Sequence, residues 1–155
     1  MSMRLLDFTT LDTNQLTLVL SWRNHPKIRE WMLHQNEISM EEHLQFVESL
    51  KRRVDRRYFL VQREGKNIGV IDFMDITEKS AELGLYANPQ MRGVGETLMR
   101  TLIDYAFVTL KVKTLIATVF VDNERAKYLY EKFDFVETNR TAYEKREMIR
   151  MELYQ

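Results

Sequence analysis

Two hydrophobic rhythms divide the chain. Up to about Arg53 most apolar residues recur at helical spacing, and from Tyr58 onward they crowd into short β-rich runs. Met3 to Phe8 reads as an opening strand. Thr13 to Trp22 reads as a helix with Leu16, Leu18, Val19 and Leu20 on its apolar side. Pro26 breaks it near His25 and opens a short helix over Lys27 to Leu33. Ser39 followed by Glu42 predicts a capping box, and the helix it starts carries Leu44, Val47 and Leu50 before Lys51, Arg52 and Arg53. Tyr58 to Gln62 and Asn67 to Phe73 flank Glu64-Gly65 and predict a hairpin. Ala81 to Ala87 is a further strand, closed by Asn88-Pro89. Gly93 to Leu110 is a long helix with Leu98, Leu102, Tyr105 and Ala106 on one face. A strand over Thr114 to Val121 and a helix over Asn123 to Lys132 follow. Phe135 to Thr138 and Glu147 to Tyr154 close the chain, the latter alternating Ile149, Met151 and Leu153 with Arg150 and Glu152. This order predicts an α/β (α+β) fold, a sheet with helices packed on it.

Composition narrows the function. The 155 residues suit one domain, and 45% are hydrophobic, the globular norm. Lys plus Arg and Asp plus Glu both total 23, which argues against a nucleic-acid partner. Without cysteine there is no disulfide, thiolate metal site or cysteine nucleophile. Met1 to Thr10 shows no apolar run behind a basic head, and no stretch approaches the ~18 apolar residues of a membrane span. The expectation is a cytoplasmic protein with no membrane contact. His25, His34 and His43 are nine apart, a spacing that suits neither one helix face nor a metal cluster, so no metal is expected.

The most informative segment is Asn88-Pro89-Gln90-Met91-Arg92-Gly93-Val94-Gly95-Glu96-Thr97-Leu98. A strand ends, a loop with two glycines follows, and a long helix begins. Glycines let the backbone bend and leave room for a ligand to touch it. The first helical turn offers unpaired N–H groups and a positive dipole end, which suit a pyrophosphate. A plain strand-to-helix turn is the alternative. There is no Gly-Lys-Ser/Thr, and the loop follows three consecutive strands, so neither a nucleoside-triphosphate loop nor a dinucleotide fold is indicated.

Gln90, Gly93 and Gly95 resemble the acyl-CoA signature of the GNAT superfamily, Gln/Arg-x-x-Gly-x-Gly/Ala. After the next predicted strand, Asn123-Glu124-Arg125-Ala126-Lys127-Tyr128-Leu129-Tyr130-Glu131-Lys132 resembles that family's Asn-x-x-Ala-x-x-x-Tyr-Glu-Lys segment. Asp134 departs from the pattern, where the family often has glycine. The resemblance implies a mostly antiparallel, twisted sheet of about seven strands, splayed between strands four and five, with about four flanking helices. It implies acetyl-CoA as cosubstrate. Amides of Met91 to Gly95, with Gln90, Arg92, Val94 and Glu96 in the same turn, would hold its pyrophosphate. Leu85, Tyr86 and Ala87 would pair with the pantetheine arm, Asn123 would hydrogen-bond it, and Tyr130 would point its hydroxyl at the sulfur. Direct transfer between bound partners follows for a chain without cysteine. Glu82 is the candidate base, acting through water. Read without the resemblance, Glu82 is a solvent-facing strand residue and Tyr130 an amphipathic one.

A narrower resemblance runs through Trp22-Arg23-Asn24-His25-Pro26, His43-Leu44-Gln45-Phe46, Arg57-Tyr58-Phe59-Leu60-Val61, Gly69-Val70-Ile71-Asp72-Phe73 and Glu82-Leu83-Gly84-Leu85-Tyr86-Ala87. These segments are similar to bacterial aminosugar N-acetyltransferases of the pseudaminic acid pathway, which acetylate the 4-amino group of a UDP-linked sugar. That implies a UDP-aminosugar acceptor, with Arg23, His25, His43, Thr77 and Tyr86 as candidates for holding it. A bidentate arginine suits phosphate. A helix-end cation at Arg23, and capping or packed histidines, are the alternatives. A protein N-terminus or another small amine as acceptor stays open, as does a non-catalytic acyl-CoA-binding module. Edge strands in such sheets often pair between subunits, so a homodimer is also an expectation.

Overall fold

The computed structural model describes residues 2–155. Its centre is one sheet of seven strands in the order β1-β2-β3-β4-β5-β7-β6. The strands are β1 (Met3–Asp7), β2 (Arg57–Arg63), β3 (Lys66–Met74), β4 (Ser80–Ala87), β5 (Thr114–Phe120), β6 (Val136–Tyr143) and β7 (Arg146–Tyr154). Every neighbouring pair is antiparallel except β4 and β5. The hairpin turn between β2 and β3 places Glu64 at φ 51° and Gly65 at φ 79°, the left-handed pair that suits the twist of a tight hairpin.

Alternation along the strands sorts side chains onto two faces. One face buries Ile68, Ile71, Phe73, Leu83, Leu115, Ala117, Val119 and Ile149 beneath α4 (Gly95–Asp104) and α5 (Glu124–Lys132). The other buries Leu60 and Val70 beneath α1 (Thr13–Arg23), α2 (Pro26–Arg29) and α3 (Met40–Leu50), with Phe8, Val19, Trp22 and Val47 between the layers. Ser39 and Glu42 form the capping box expected at α3, through bonds of 3.1 and 3.2 Å. Asp12 and Gln15 form another at α1.

Three elements differ from the sequence expectation. The short helix after Pro26 ends at Arg29, and Trp31 and Met32 continue only as i−3 turns. The helix toward Leu110 becomes a π-helical turn at Tyr105, whose ring lies 5.0 Å from that of Phe59 and 5.4 Å from that of Phe73. Lys111, at φ 59°, ends that turn. β6 runs to Tyr143 rather than Thr138, and it is exposed along nearly its whole length. A strand wet on both faces gives no hydrophobic alternation to read. Among the described residues no helix is long and apolar enough to cross a membrane.

Candidate active site

The parallel pairing of β4 and β5 covers only Ser80 with Thr114, Ala81 with Leu115 and Glu82 with Ile116. Beyond that point β4 continues to Ala87 against β3, and β5 continues to Phe120 against β7. The two strands therefore separate, and a slot opens through the middle of the sheet. At its closed end Thr118 Oγ1 donates to Glu82 Oε1 at 2.9 Å, bridging the strands across the fork.

At the open end the chain leaves β4 through Asn88. Its main-chain N–H donates to the Ile68 carbonyl at 2.9 Å, and its Nδ2 donates to the Asn67 carbonyl at 3.1 Å. Its Oδ1 accepts from the Gln90 N–H at 2.9 Å, which shapes the turn. Gln90 and Arg92 are exposed and Met91 is half-buried. Gly93 sits at φ 75°, where a side chain would be strained. Val94 then caps α4 without any side-chain acceptor for the free N–H groups of the first turn. Gly69 lets α4 lie directly on β3, since a Cβ there would stand 2.6 Å from both Leu98 Cδ1 and the Tyr86 carbonyl oxygen. Glu96 turns its carboxylate to Lys132 at 3.0 Å, tying the start of α4 to the end of α5, and this cation holds Glu96 below the usual carboxylate range. Asn123 caps α5 by accepting from the Ala126 N–H at 3.3 Å, which leaves its Nδ2 free.

Tyr130 lies on α5, buried under the first face with its ring 5.3 Å from Phe135. Burial pushes its phenol well above the ordinary value, and the charges of Asp72 and Glu82 on the opposite face push it further.

The second face carries Glu82 and Tyr86 of β4, Asp72 of β3, and Thr118 and Phe120 of β5. Arg23 from α1 lies close to Tyr86 and Tyr58, and its burial lowers its hold on its proton. Its Nη2 donates to the His34 carbonyl at 2.9 Å, while its buried Nη1 has no partner. His43 is buried on α3 beside the Phe8 ring. Burial lowers its pKa, and its Nε2 is likewise unpartnered. His25 and Thr77, the other two candidates for holding the acceptor, both make local bonds. His25 Nδ1 caps α2 by accepting from the Lys27 N–H at 3.1 Å. Thr77 Oγ1 accepts from the Lys79 and Ser80 N–H groups at 3.1 and 3.0 Å, within the turn at the closed end of the fork.

Two features escaped the sequence reading. Asp72 is a buried carboxyl inside an apolar β-run, and that lone charge was the signal available. A Cβ on Gly84 would stand 2.6 Å from each Asp72 oxygen, so the carboxyl lies over β4 where a side chain is missing. Burial raises its pKa to about 7; Arg56 opposes the rise and Glu82 adds to it. The second feature is a strap. Arg146 lies 3.6 Å over the Phe120 ring and 5.5 Å from that of Trp31, and it donates to Asp122 and the Glu30 carbonyl. Asn24 brackets Ile38 with two bonds of 2.8 Å. The segment from Glu30 to Ile38 is thus tied to α1 at one end and to β5 and β7 at the other. Its signal was absent, because Arg146 lies 116 residues from Glu30 in the chain.

Residues 3–136 match the acetyltransferase (GNAT) domain family. The chain belongs to the GNAT acetyltransferase family. Acetyltransferase PseH of Campylobacter jejuni is 47% identical over 132 residues, 85% of this chain and 83% of that protein. The crystal structure of Campylobacter jejuni N-acetyltransferase PseH in complex with acetyl coenzyme A matches with a TM-score of 0.84 at 38% identity, covering 99% of both chains. Spermidine N-acetyltransferase from Vibrio cholerae, in complex with CoA and spermine, matches with a TM-score of 0.87 at 25% identity, covering 99% of this chain and 95% of that one. The slot between β4 and β5 in this GNAT chain is therefore the candidate cosubstrate site. Among the described residues no cluster of three or more metal-ligating side chains occurs.

Proposed function

We propose that the protein transfers the acetyl group of acetyl-CoA to the 4-amino group of a UDP-linked 2-acetamido-4-amino-trideoxy sugar, on the route to pseudaminic acid. The observation that carries this reading is a slot between β4 and β5 with an uncapped helix start at its open end.

In this reading the amides from Arg92 to Gly95 grip the pyrophosphate, with Gln90 and Glu96 around them, while the Met91 N–H is held by the Asn88 carbonyl at 2.9 Å. The positive end of α4 adds to the attraction. Leu85, Tyr86 and Ala87 meet the pantetheine arm along the unpaired side of β4, and the free Nδ2 of Asn123 donates to it. Main-chain amides near Leu85 stabilise the charge developing on the thioester oxygen. Tyr130, kept protonated by burial, gives its proton to the departing thiolate. Glu82 draws the acceptor's ammonium to the fork and passes protons through water. The transfer is direct, with both substrates bound.

The unpartnered, buried Nη1 of Arg23 supports an anionic acceptor. Buried donors without partners are costly unless a ligand supplies acceptors, and a diphosphate does so. A polyamine would meet Arg23 as a like charge. Thiol release from acetyl-CoA, measured with the UDP-4-aminosugar, spermidine and an N-terminal peptide, tests the assignment. Turnover on the sugar nucleotide alone is expected; turnover on spermidine or peptide in its place defeats it.

A further inference from the structure

Resting on the acetyl transfer just described, we propose that Asp72 is a catalytic residue, the carboxylate that finally takes the proton released from the acceptor's ammonium. An amine delivered at neutral pH arrives protonated, and a nitrogen without a lone pair cannot attack a thioester. The proton must leave before the bond forms, and it needs a group close to the nitrogen to receive it.

The geometry singles out Asp72. It stands on β3, two residues from Val70 and so on the same face as the acceptor wall of Arg23, Tyr58 and Tyr86. Its carboxyl leans across the β3–β4 register onto β4, occupying the space over Gly84. On that face of β4 the succession is therefore Glu82, the Asp72 carboxyl, then Tyr86. Tyr130 is buried on the other face of the sheet, where the charges of both carboxylates help to raise its pKa. Glu82 is half-buried, and its carboxylate is held across the fork by the Thr118 hydroxyl. Asp72 is buried.

The groups around Asp72 set its proton affinity. Tyr58 pairs with it from β2, Tyr86 and Glu82 share its face on β4, Arg56 lies in the loop before β2, and Tyr130 lies across the sheet on α5. Arg56 is the nearby cation that favours the charged form, while burial and Glu82 favour the neutral one. The outcome is a carboxyl that changes state near neutrality, where a base serves an amine best.

The balance closes. An N–H bond of the ammonium breaks and an O–H bond forms on Asp72. The neutral nitrogen adds to the thioester carbon, and the C–S bond breaks as the amide forms. Sulfur receives the Tyr130 proton, and the second nitrogen proton restores the phenol. Asp72 returns its proton to water through the cleft, so one proton is released per acetyl group moved.

The test compares wild type, Asp72→Asn and Glu82→Gln over pH 5.5 to 9, with acetyl-CoA and the UDP-4-aminosugar. In wild type, kcat/KM should fall on the acid side with an inflection near 7. Asp72→Asn should lower kcat by about 100-fold or more and erase that limb, with KM for the acceptor and affinity for acetyl-CoA nearly unchanged. Glu82→Gln should keep the limb. A limb retained in Asp72→Asn, with a rate within about threefold of wild type, overturns the assignment. If the variant does not fold, carboxyl-carbon NMR of the wild-type protein decides. An Asp72 signal titrating near 7 and shifting on acceptor binding supports the role, and one titrating in the ordinary carboxylate range overturns it. Failure of the acceptor reading is seen separately, as wild-type turnover on another amine only. The same pH series on that amine still tests Asp72.

Discussion

At the scale of single residues, Tyr130 and Asp134 show what the motif did and did not reveal. Replacing Tyr130 by Phe should lower kcat by about 100-fold with little change in either KM, since only the proton for sulfur is lost; steady-state thiol release checks this. Asp134 adopts φ 71°, the conformation for which the family commonly has glycine. Asp134→Gly should therefore raise stability by roughly 0.5–1 kcal/mol, read from thermal or urea unfolding. The strand-to-helix loop of Gln90, Gly93 and Gly95 and the helix from Asn123 that carries Tyr130 were legible because each belongs to a short local pattern. Asp72 and Arg146 were not. Their meaning comes from the empty space over Gly84 and from the Phe120 and Trp31 rings, which only the folded chain brings to them.

Whole elements were readable where one face is dry and the other wet. β7 declared itself by alternation, and α3 by its capping box. β6 did not, because neither face is buried. The register that ends after Glu82 and Ile116 is also invisible in a string of letters, since it depends on two strands far apart in sequence. Gly69 couples one element to another. Gly69→Ala should push α4 off β3 and destabilise the fold by about 1–3 kcal/mol, and it should weaken acetyl-CoA binding as well; denaturation and calorimetry measure the two effects. Arg146→Ala should free the Trp31 side of the strap. We expect KM for the acceptor to rise about 5- to 20-fold, with acetyl-CoA affinity unchanged, because the loss corresponds to roughly 1–2 kcal/mol.

At the scale of the molecule, Asp72 imposes a pH dependence with a definite sign. Its pKa is raised from 3.8 to about 7 on folding. The folded state therefore binds the extra proton between those values, and the group's contribution falls as pH rises through that window. Melting temperature followed from pH 4 to 8 should show this descent in wild type and a flatter course in Asp72→Asn.

The open register has one more consequence. In the strand ladder only three residue pairs join the leaf of β1 to β4 to the leaf of β5, β7 and β6. Past the stitch, each leaf presents a bare row of main-chain groups to the gap. A guest carrying amides of its own can lie between them as a makeshift rung. Hydrogen exchange at the gap-facing amides within Leu83 to Ala87 and Ala117 to Phe120, the alternate ones not bonded to β3 or β7, should accordingly be fast in the empty protein. Coenzyme A should slow it, whereas adenosine 3′,5′-bisphosphate, which lacks the amide-bearing tail, should leave it unchanged.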